Sequence, residues 1–330
     1  MLVSILFLSA ALLAAGCRKP GNPELRKQTR LLMDTYITIS AYAPAARADK
    51  ATSDAFLRLE AISRKFNHLD STSPVYAFNH RNEPLTDTEL VAVVKGAISV
   101  SEASGGAFDI TVQPLVELWG FYGDHPAVPA QRAIDSCLRF VGYKNLVIEG
   151  NRVTKLKPEV TIDLGGIAKG YALKQAAEVM RADGVDSAVI DAGGDVYAIG
   201  RKGNQNWKVG IRNPRGEGLI GVTAVSDLAV VTSGDYERFF FGPDSVRYCH
   251  IINPKSGWPA RGLISTTVVM RDPMLAQGWS KVLFIMGRDG LGVIEKVGGI
   301  EGLAVTDSMK VMMTPGLAGA MELTTPEAGK

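Results

Sequence analysis

A lysine stands shortly after a pair of glycines in the segment DLGGIAKGYA at residues 163–172. Paired glycines let backbone N–H groups approach an anionic ligand without a Cβ in the way, and a helix that begins after the turn adds a favourable dipole for phosphate. Lys169, just inside the predicted helix, adds a full positive charge. These residue types at this spacing indicate a phosphate-binding turn.

The same turn also has a purely structural interpretation. Lys169 is followed by Gly170 and not by Ser or Thr, so the segment is not a Walker loop, and its glycines do not have the Rossmann spacing. A strand-to-helix turn with a solvated lysine accounts for the segment equally well. Both interpretations stay open on the residues of this turn alone.

The hydrophobic pattern predicts the elements that position this turn. A β-branched run that ends in Asp163 predicts a strand, and the helix after the turn has one apolar face, formed by Ala172, Leu173, Ala176, Val179 and Met180. Asp183-Gly184 ends the helix, residues 188–190 read as a buried strand, and Gly193-Gly194 makes a second tight turn. Two glycine turns therefore lie close together in the sequence.

Elsewhere the pattern mixes strands and helices without strict alternation. Residues 68–80 read as a polar loop, and Thr86 with Glu89 forms a capping box for a helix that Gly105-Gly106 ends. The other predicted elements are helices at 51–66 and 274–286, strands at 31–42, 146–148, 153–156, 207–211, 228–231 and 265–270, and a terminal hairpin of 303–305 with 311–313. This order favours an α+β fold, with mixed or antiparallel sheets and packed helices, over a doubly wound sheet.

Composition limits the possible partners. The chain has 330 residues, a formal net charge of +2 and 46% hydrophobic residues, which describes one large globular domain or two modest ones. A net charge this near zero, without an arginine-rich or aromatic-interleaved segment, disfavours nucleic acid as a partner. Cys137 and Cys249 can pair in an oxidising compartment or remain free, and no Cys/His cluster suggests zinc.

The N-terminus differs from the rest of the chain. Residues 2–16 are almost wholly apolar and end directly before Cys17, which is followed by polar residues. This run is too short to span a bilayer comfortably and resembles a bacterial lipoprotein signal, in which Cys17 becomes the lipidated first residue. We therefore expect residues 1–17 to be a signal peptide, 18–30 a tether and 31–330 the functional domain; a buried N-terminal helix is the alternative.

Seven motifs together resemble one family, ApbE, the flavin transferases that hydrolyse FAD and attach FMN to a protein. They are MDT at 33–35, SPVYAFN at 73–79, AFDIT at 107–111, DLGGIAKGYA at 163–172, DAGGD at 191–195, TSGDYER at 232–238 and HIINPKSG at 250–257. The resemblance runs from about residue 31 to the C-terminus and implies a single ApbE-like domain. It also implies FAD as substrate, AMP as product and a phosphoester between FMN and a Thr or Ser of an acceptor protein.

The resemblance further assigns roles to single residues. Those implied to contact FAD are Met33, Tyr76, Ala107, Phe108, Asp109, Asp163, Lys169, His250 and Ile251. Lys169 would face phosphate, and His250 would be the general base toward the acceptor hydroxyl, because imidazole accepts a proton near neutral pH. Without the family, a satisfied strand histidine is the preferred interpretation of His250.

The resemblance also implies a cellular setting. Family members commonly act outside the cytoplasmic membrane, which agrees with the lipoprotein-type N-terminus. We therefore expect an exported protein that is anchored in the membrane through Cys17 and faces the periplasm or the cell exterior. Its acceptor would be a subunit of a membrane redox complex.

The chain departs from the family at the metal site. The family holds Mg²⁺ with an Asp, a Thr four residues later at the start of the late helix, and a backbone carbonyl that corresponds to Gly166. This chain has Gln277 and Lys281 at the two side-chain positions. A neutral amide offers one oxygen, and an ammonium offers none and repels a cation. Mg²⁺ is therefore expected from the family but doubtful here.

Two functional interpretations follow from this departure. In the first, Lys281 replaces the metal and its ammonium meets the diphosphate, which preserves FAD binding and transfer. In the second, the protein binds FAD, or hydrolyses it weakly as a pyrophosphatase, with impaired transfer. A nicotinamide dehydrogenase is disfavoured because no GxGxxG motif follows a first strand.

Overall fold

The computed structural model describes residues 21–123 and 125–324. Its strands are β1 (Glu24–Leu32), β2 (Thr35–Ala43), β3 (Leu146–Glu149), β4 (Arg152–Lys155), β5 (Ala188–Ala192), β6 (Asp195–Ile199), β7 (Trp207–Arg212), β8 (Leu219–Val225), β9 (Leu228–Gly234), β10 (Phe239–Phe241), β11 (Arg247–Cys249), β12 (Leu263–Met270), β13 (Glu301–Thr306), β14 (Val311–Met313) and β15 (Met321–Leu323). Its α-helices are α1 (Ala45–Phe66), α2 (Pro74–Arg81), α3 (Thr88–Ala103), α4 (Gln113–Leu118), α5 (Gln131–Leu138), α6 (Ala168–Ala182), α7 (Pro273–Met286), α8 (Asp289–Val297) and α9 (Pro315–Ala320).

One large antiparallel sheet organises the fold. It has eight strands in the order β1-β2-β5-β6-β9-β12-β13-β14, and every neighbouring pair is antiparallel. A three-stranded sheet has the order β15-β8-β7, and β3-β4 and β10-β11 are separate two-stranded ribbons. The predicted α+β class, with antiparallel sheets and packed helices, is confirmed.

The large sheet is covered on both faces. Alternate residues of β2, such as Ile37 and Ile39, are fully buried in a core cluster with side chains of α1, α3, α6 and α7. The opposite face packs against the three-stranded sheet, where Val209 and Ile211 of β7 join a second cluster. Because β12 lies between these layers, nearly all its side chains are buried, including the polar Ser265, Thr266 and Thr267.

Several predicted elements agree with the structure, and the period of the apolar residues explains why. Helix α6 buries the predicted face except for half-buried Val179. Helix α7 and the β13-β14 hairpin occur where the pattern placed them. The β3-β4 ribbon also occurs as predicted. Cys137 and Cys249 are both free.

Other predictions were wrong. Residues 24–30 are not a tether but belong to β1, which pairs along its whole length with β2, and the predicted strand 31–42 is broken by a turn at Met33-Asp34. The segment predicted as a polar loop contains α2, whose N-cap is Ser73. Helix α3 is capped by Asp87 and not by Thr86. The run that ends in Asp163 is extended but forms no strand.

The predicted signal peptide, with Cys17, lies outside the described residues. Within the described ranges, no helix combines the length and the apolar character that crossing a membrane requires.

Candidate functional site

Asp163 shapes the glycine turn in front of α6. One carboxylate oxygen accepts a hydrogen bond from the Gly165 N–H at 2.7 Å, and the other accepts one from the Tyr122 hydroxyl at 2.6 Å. The backbone N–H of Asp163 donates to the carbonyl of Ile110 at 2.7 Å, which ties the turn to the segment after α3. Burial, and then the Asp163 charge, raise the pKa of Tyr122, so the phenol stays a hydrogen-bond donor.

Lys169 projects from the first turn of α6 toward the second glycine turn, between β5 and β6. Its ammonium lies 2.7 Å from a carboxylate oxygen of Asp195, and it is 3.4 Å from the carbonyl of Ala192. Asp195 is 1% exposed, and neither carboxylate oxygen has a well-aligned hydrogen-bond partner in the described ranges. The structure thus brings the two glycine turns together through this ion pair.

Gln277 joins α7 to the glycine turn. Its amide oxygen accepts a hydrogen bond from the Gly170 N–H at 2.9 Å, and its amide nitrogen donates to the Gly165 carbonyl at 3.0 Å. The side chain is fully buried. The carbonyl that meets this position is therefore that of Gly165, whereas the family resemblance implied Gly166.

The close approach of α6 and α7 depends on Gly170. A Cβ at this position would lie 2.1 Å from the Pro273 carbonyl oxygen, so any side chain would push the two helices apart. Proximity at this point allows the short Gln277 side chain to reach the Gly170 N–H. The glycine in the motif therefore serves helix packing.

Lys281 lies one turn after Gln277 on the same face of α7. Burial lowers the pKa of Lys281 to about 8, the Asp195 carboxylate raises it and the Lys169 ammonium lowers it. Lys281 therefore lies within electrostatic range of the Lys169–Asp195 pair. Among the described residues, Lys281 forms no ion pair and no side-chain hydrogen bond.

His250 follows β11 directly and lies in the same charged region. Its Nδ1 is 3.2 Å from the carbonyl oxygen of Arg238, and because a carbonyl only accepts, Nδ1 carries the proton and Nε2 keeps its lone pair. Burial, and next the Lys281 charge, lower the pKa of His250 to about 4. The imidazole is therefore neutral at physiological pH, as a general base must be.

Arg238 connects this histidine to the first hairpin. Its guanidinium lies 3.5 Å from the carboxylate of Asp34, in the turn between β1 and β2. Met33, in the same turn, has a positive φ of 53°. A cleft of about 270 Å³ opens beside Arg238 and is lined also by Phe121 and Phe239. The structure thus places Met33 near the histidine side of the site.

The AFD segment after α3, residues 107–109, packs against the glycine turn in front of α6. Phe108 is 5% exposed, and its ring edge would be 2.9 Å from a Cβ at Gly166. Ala107 is also buried. The Asp109 carboxylate accepts hydrogen bonds from the Thr111 N–H and hydroxyl and from the Tyr143 N–H, at 2.8, 2.6 and 2.6 Å. Burial raises the pKa of Asp109, and its carboxylate serves to hold the loop.

Two predicted contact residues lie in different surroundings. Tyr76, on α2, is half-buried, and its ring lies 4.2 Å from that of His80. The Ile251 side chain is 4% exposed and packs in a core cluster with Cys249, so its backbone is the part available to a ligand. FAD contact by Tyr76 and Ile251 stays a prediction.

Three residues complete the site. Asp195 and Arg238 had no predicted role, and Tyr122 was predicted only as part of an aromatic pocket wall after the AFD segment, with core packing as the alternative. Asp195 ends the DAGGD motif and Arg238 ends TSGDYER, so both motifs had been noticed without a role for these side chains. The available signal for Asp195 was an acidic residue that directly follows a glycine turn. No local signal connects Tyr122 with Asp163.

The residues at the family's metal position do not fit a divalent cation. Gln277 uses its only oxygen to bind the Gly170 N–H and turns its N–H toward the Gly165 carbonyl. Lys281 brings a positive charge. Across residues 21–123 and 125–324, no group of three or more His, Cys, Asp or Glu side chains has a geometry that would hold a metal ion.

Comparison with known proteins agrees with this geometry. The model of the ApbE family matches residues 33–304. This chain belongs to the ApbE family. The match begins at the turn between β1 and β2 and spans both glycine turns, His250 and the whole of α7.

Named members of the ApbE family resemble the chain over most of its length. The FAD:protein FMN transferase of Vibrio cholerae is 31% identical over 299 residues, which cover 87% of this chain and 89% of that protein. The one of Treponema pallidum is 28% identical over 324 residues, covering 90% and 89%. Among solved structures, the ApbE protein of Thermotoga maritima has a TM-score of 0.84 and 34% identity, covering 90% of this chain and 99% of that one. The flavin transferase ApbE of Vibrio cholerae has a TM-score of 0.81.

Proposed function

We propose that this chain is an FAD:protein FMN transferase. The hydroxyl oxygen of a Thr or Ser in an acceptor protein attacks the phosphorus of the FMN half of FAD. A phosphoester forms, the diphosphate bond breaks, and AMP leaves with the bridging oxygen. The single observation that carries the proposal is the Lys169 ammonium, held at the glycine turn by Asp195 at 2.7 Å, in the same charged region as the neutral imidazole of His250.

The neutral imidazole suits the proton that this reaction releases. Its Nδ1 proton points to the Arg238 carbonyl, so Nε2 is free to take the proton of the acceptor hydroxyl. Burial, and next the Lys281 charge, keep the ring unprotonated before the reaction. Once the proton has transferred, the anionic phosphates of the substrate offset the charge of the imidazolium.

Lys169 is proposed to bind the diphosphate. Its ammonium is anchored by Asp195 but remains 27% exposed in its side chain, so it keeps free N–H groups for a ligand oxygen. The fixed carboxylate positions the ammonium before the substrate arrives, which lowers the cost of ordering a flexible lysine on binding.

The experiment measures AMP release from FAD together with covalent flavin fluorescence on an acceptor that carries a target threonine. Purified full-length protein should produce both in equal amounts. His250→Ala should retain FAD binding and slow transfer by about 10²- to 10⁴-fold, the usual contribution of a general base. The control is Gln205→Ala, at an exposed residue that the site does not use, which should transfer at the normal rate. If the wild-type protein yields no flavinylated acceptor, the proposal is contradicted.

A second candidate function is FAD binding with weak hydrolysis and impaired transfer. The residues at the family's metal position, Gln277 and Lys281, favour it, because the usual cation site is absent among the described residues. AMP release at equal rates with and without acceptor, with no covalent flavin, would identify a pyrophosphatase. Binding of FAD without AMP release would identify a flavin-binding protein.

We further propose that the protein is exported, that Cys17 anchors it in the membrane and that its acceptor is a subunit of a membrane redox complex. The support is the apolar run that ends at Cys17. Cys17→Ala should release the protein from the membrane fraction of a bacterial host, because a thioether-linked lipid requires the thiol. Unchanged partitioning of this variant would contradict the anchor.

A further inference from the structure

We propose that the Lys281 ammonium replaces a divalent cation at the diphosphate of FAD, and that Gln277 closes the space in which a metal would otherwise bind. The proposal rests on the proposed function for the identity of the ligand. It makes FAD binding and cleavage by this chain independent of metal ions.

Both polar atoms of the Gln277 side chain are hydrogen-bonded to the backbone. Its oxygen is occupied by the Gly170 N–H at 2.9 Å, and its amide nitrogen donates to the Gly165 carbonyl at 3.0 Å. A cation would need both oxygens, that of Gln277 and that of Gly165, as ligands. Here a hydrogen bond joins the two groups directly, so the amide nitrogen occupies the position between them.

Lys281, in contrast, has no partner among the described residues. Asp195 lies 2.7 Å from the Lys169 ammonium, and both oxygens of Asp163 accept hydrogen bonds, so neither carboxylate binds Lys281 directly. An ammonium has three donors and is costly to place in a partly buried region without an acceptor. Lys281 is therefore an ammonium without a direct acceptor among the described residues, and an oxygen of an anionic ligand would supply one.

The net charge at positions 277 and 281 supports the replacement of a cation by Lys281. In the family, an aspartate and a divalent cation together carry a net charge of plus one. In this chain, a neutral Gln277 and a protonated Lys281 also carry plus one. The diphosphate therefore meets the same net charge in both cases, and the cation is fixed covalently to α7.

The test is an FAD titration of the full-length protein, followed by flavin fluorescence, after treatment with EDTA. Wild type should bind FAD equally well with EDTA and with added Mg²⁺. Lys281→Met should bind FAD about 10- to 150-fold more weakly, which corresponds to the loss of one charge-assisted hydrogen bond of about 1.5–3 kcal/mol. Lys281→Arg should restore part of the affinity. The matched control, Lys296→Met at an exposed lysine of α8, should bind like wild type.

A second variant keeps the test informative if Lys281→Met unfolds. The pair Gln277→Asp with Lys281→Thr removes the ammonium and supplies an anionic oxygen and a hydroxyl. Its FAD affinity should be low in EDTA and should recover with Mg²⁺. The proposal would be overturned if the FAD affinity of the double variant did not change with Mg²⁺ while FAD binding by wild type depended on Mg²⁺.

Failure of this proposal and failure of the transferase function give different results. Wild type that transfers FMN only with Mg²⁺, and loses transfer in EDTA, would overturn the role of Lys281 and leave the transferase intact. Wild type that binds FAD in EDTA through Lys281 but flavinylates no acceptor would overturn the transferase and support the role of Lys281 in binding.

Discussion

Replacing Gln277 by alanine should destabilise the fold by about 3 kcal/mol. The side chain is fully buried, and alanine removes the acceptor of the Gly170 N–H and the donor to the Gly165 carbonyl. The buried N–H then lacks a partner, at a cost of about 1–3 kcal/mol, whereas the carbonyl of exposed Gly165 regains water. Loss of the one buried methylene group, Cγ, adds about 0.8 kcal/mol.

Equilibrium unfolding in urea measures this change in the free energy of unfolding. The matched control is Gln205→Ala, at an exposed glutamine, which should change stability by less than about 0.5 kcal/mol. Gln277→Glu should retain the bond from Gly170, so it separates that bond from the donor to Gly165. A loss below about 1 kcal/mol in Gln277→Ala, with an unchanged m-value, would refute the view that this side chain joins α6 to α7.

Two further predictions concern pH and helix packing. The folded-state pKa of His250, about 4, lies below its ordinary value of 6.5, so the unfolded chain binds the proton first as pH falls. The free energy of unfolding should therefore decrease as pH drops from about 6.5 toward 4. His250→Ala should flatten this part of a pH profile measured by urea unfolding, and a profile as steep as that of wild type would contradict the burial of the ring. Gly170→Ala should lower the free energy of unfolding by about 1–3 kcal/mol through overpacking, because its Cβ would lie 2.1 Å from the Pro273 carbonyl oxygen. An unchanged thermal unfolding temperature would show that α6 and α7 can move apart at no cost in stability.

The sequence predicted the elements whose apolar period is strong. Helix α7 and strand β2 agree with the prediction because their buried residues recur with helical or alternating spacing. Helix α2 was missed because its polar composition resembles a loop, although Ser73 followed by Pro74 is a helix start signal. β1 was taken for a tether because its residues are mostly exposed, as in an edge strand that pairs on one side only.

The candidate site was predictable at the level of residue types but not of partners. The spacing of Gln277 and Lys281 placed both on one helix face, and the structure bears this out. The hydrogen bonds of Gln277 to the glycine turn, and the pairing of Lys169 with Asp195, join segments that are far apart in the sequence. Such pairings depend on how α6 packs against α7 and β6, which no local pattern reports.

The two departures at the metal position make electrostatic sense only together. Gln277→Asp alone would place a carboxylate one helical turn from Lys281, and the resulting pair would cancel the charge that faces the diphosphate. Lys281→Thr alone would leave a neutral corner in which Gln277 still blocks the Gly165 carbonyl from a cation. Each single change should therefore weaken FAD binding more than the double change does in the presence of Mg²⁺, and this non-additivity would mark the two residues as one functional unit.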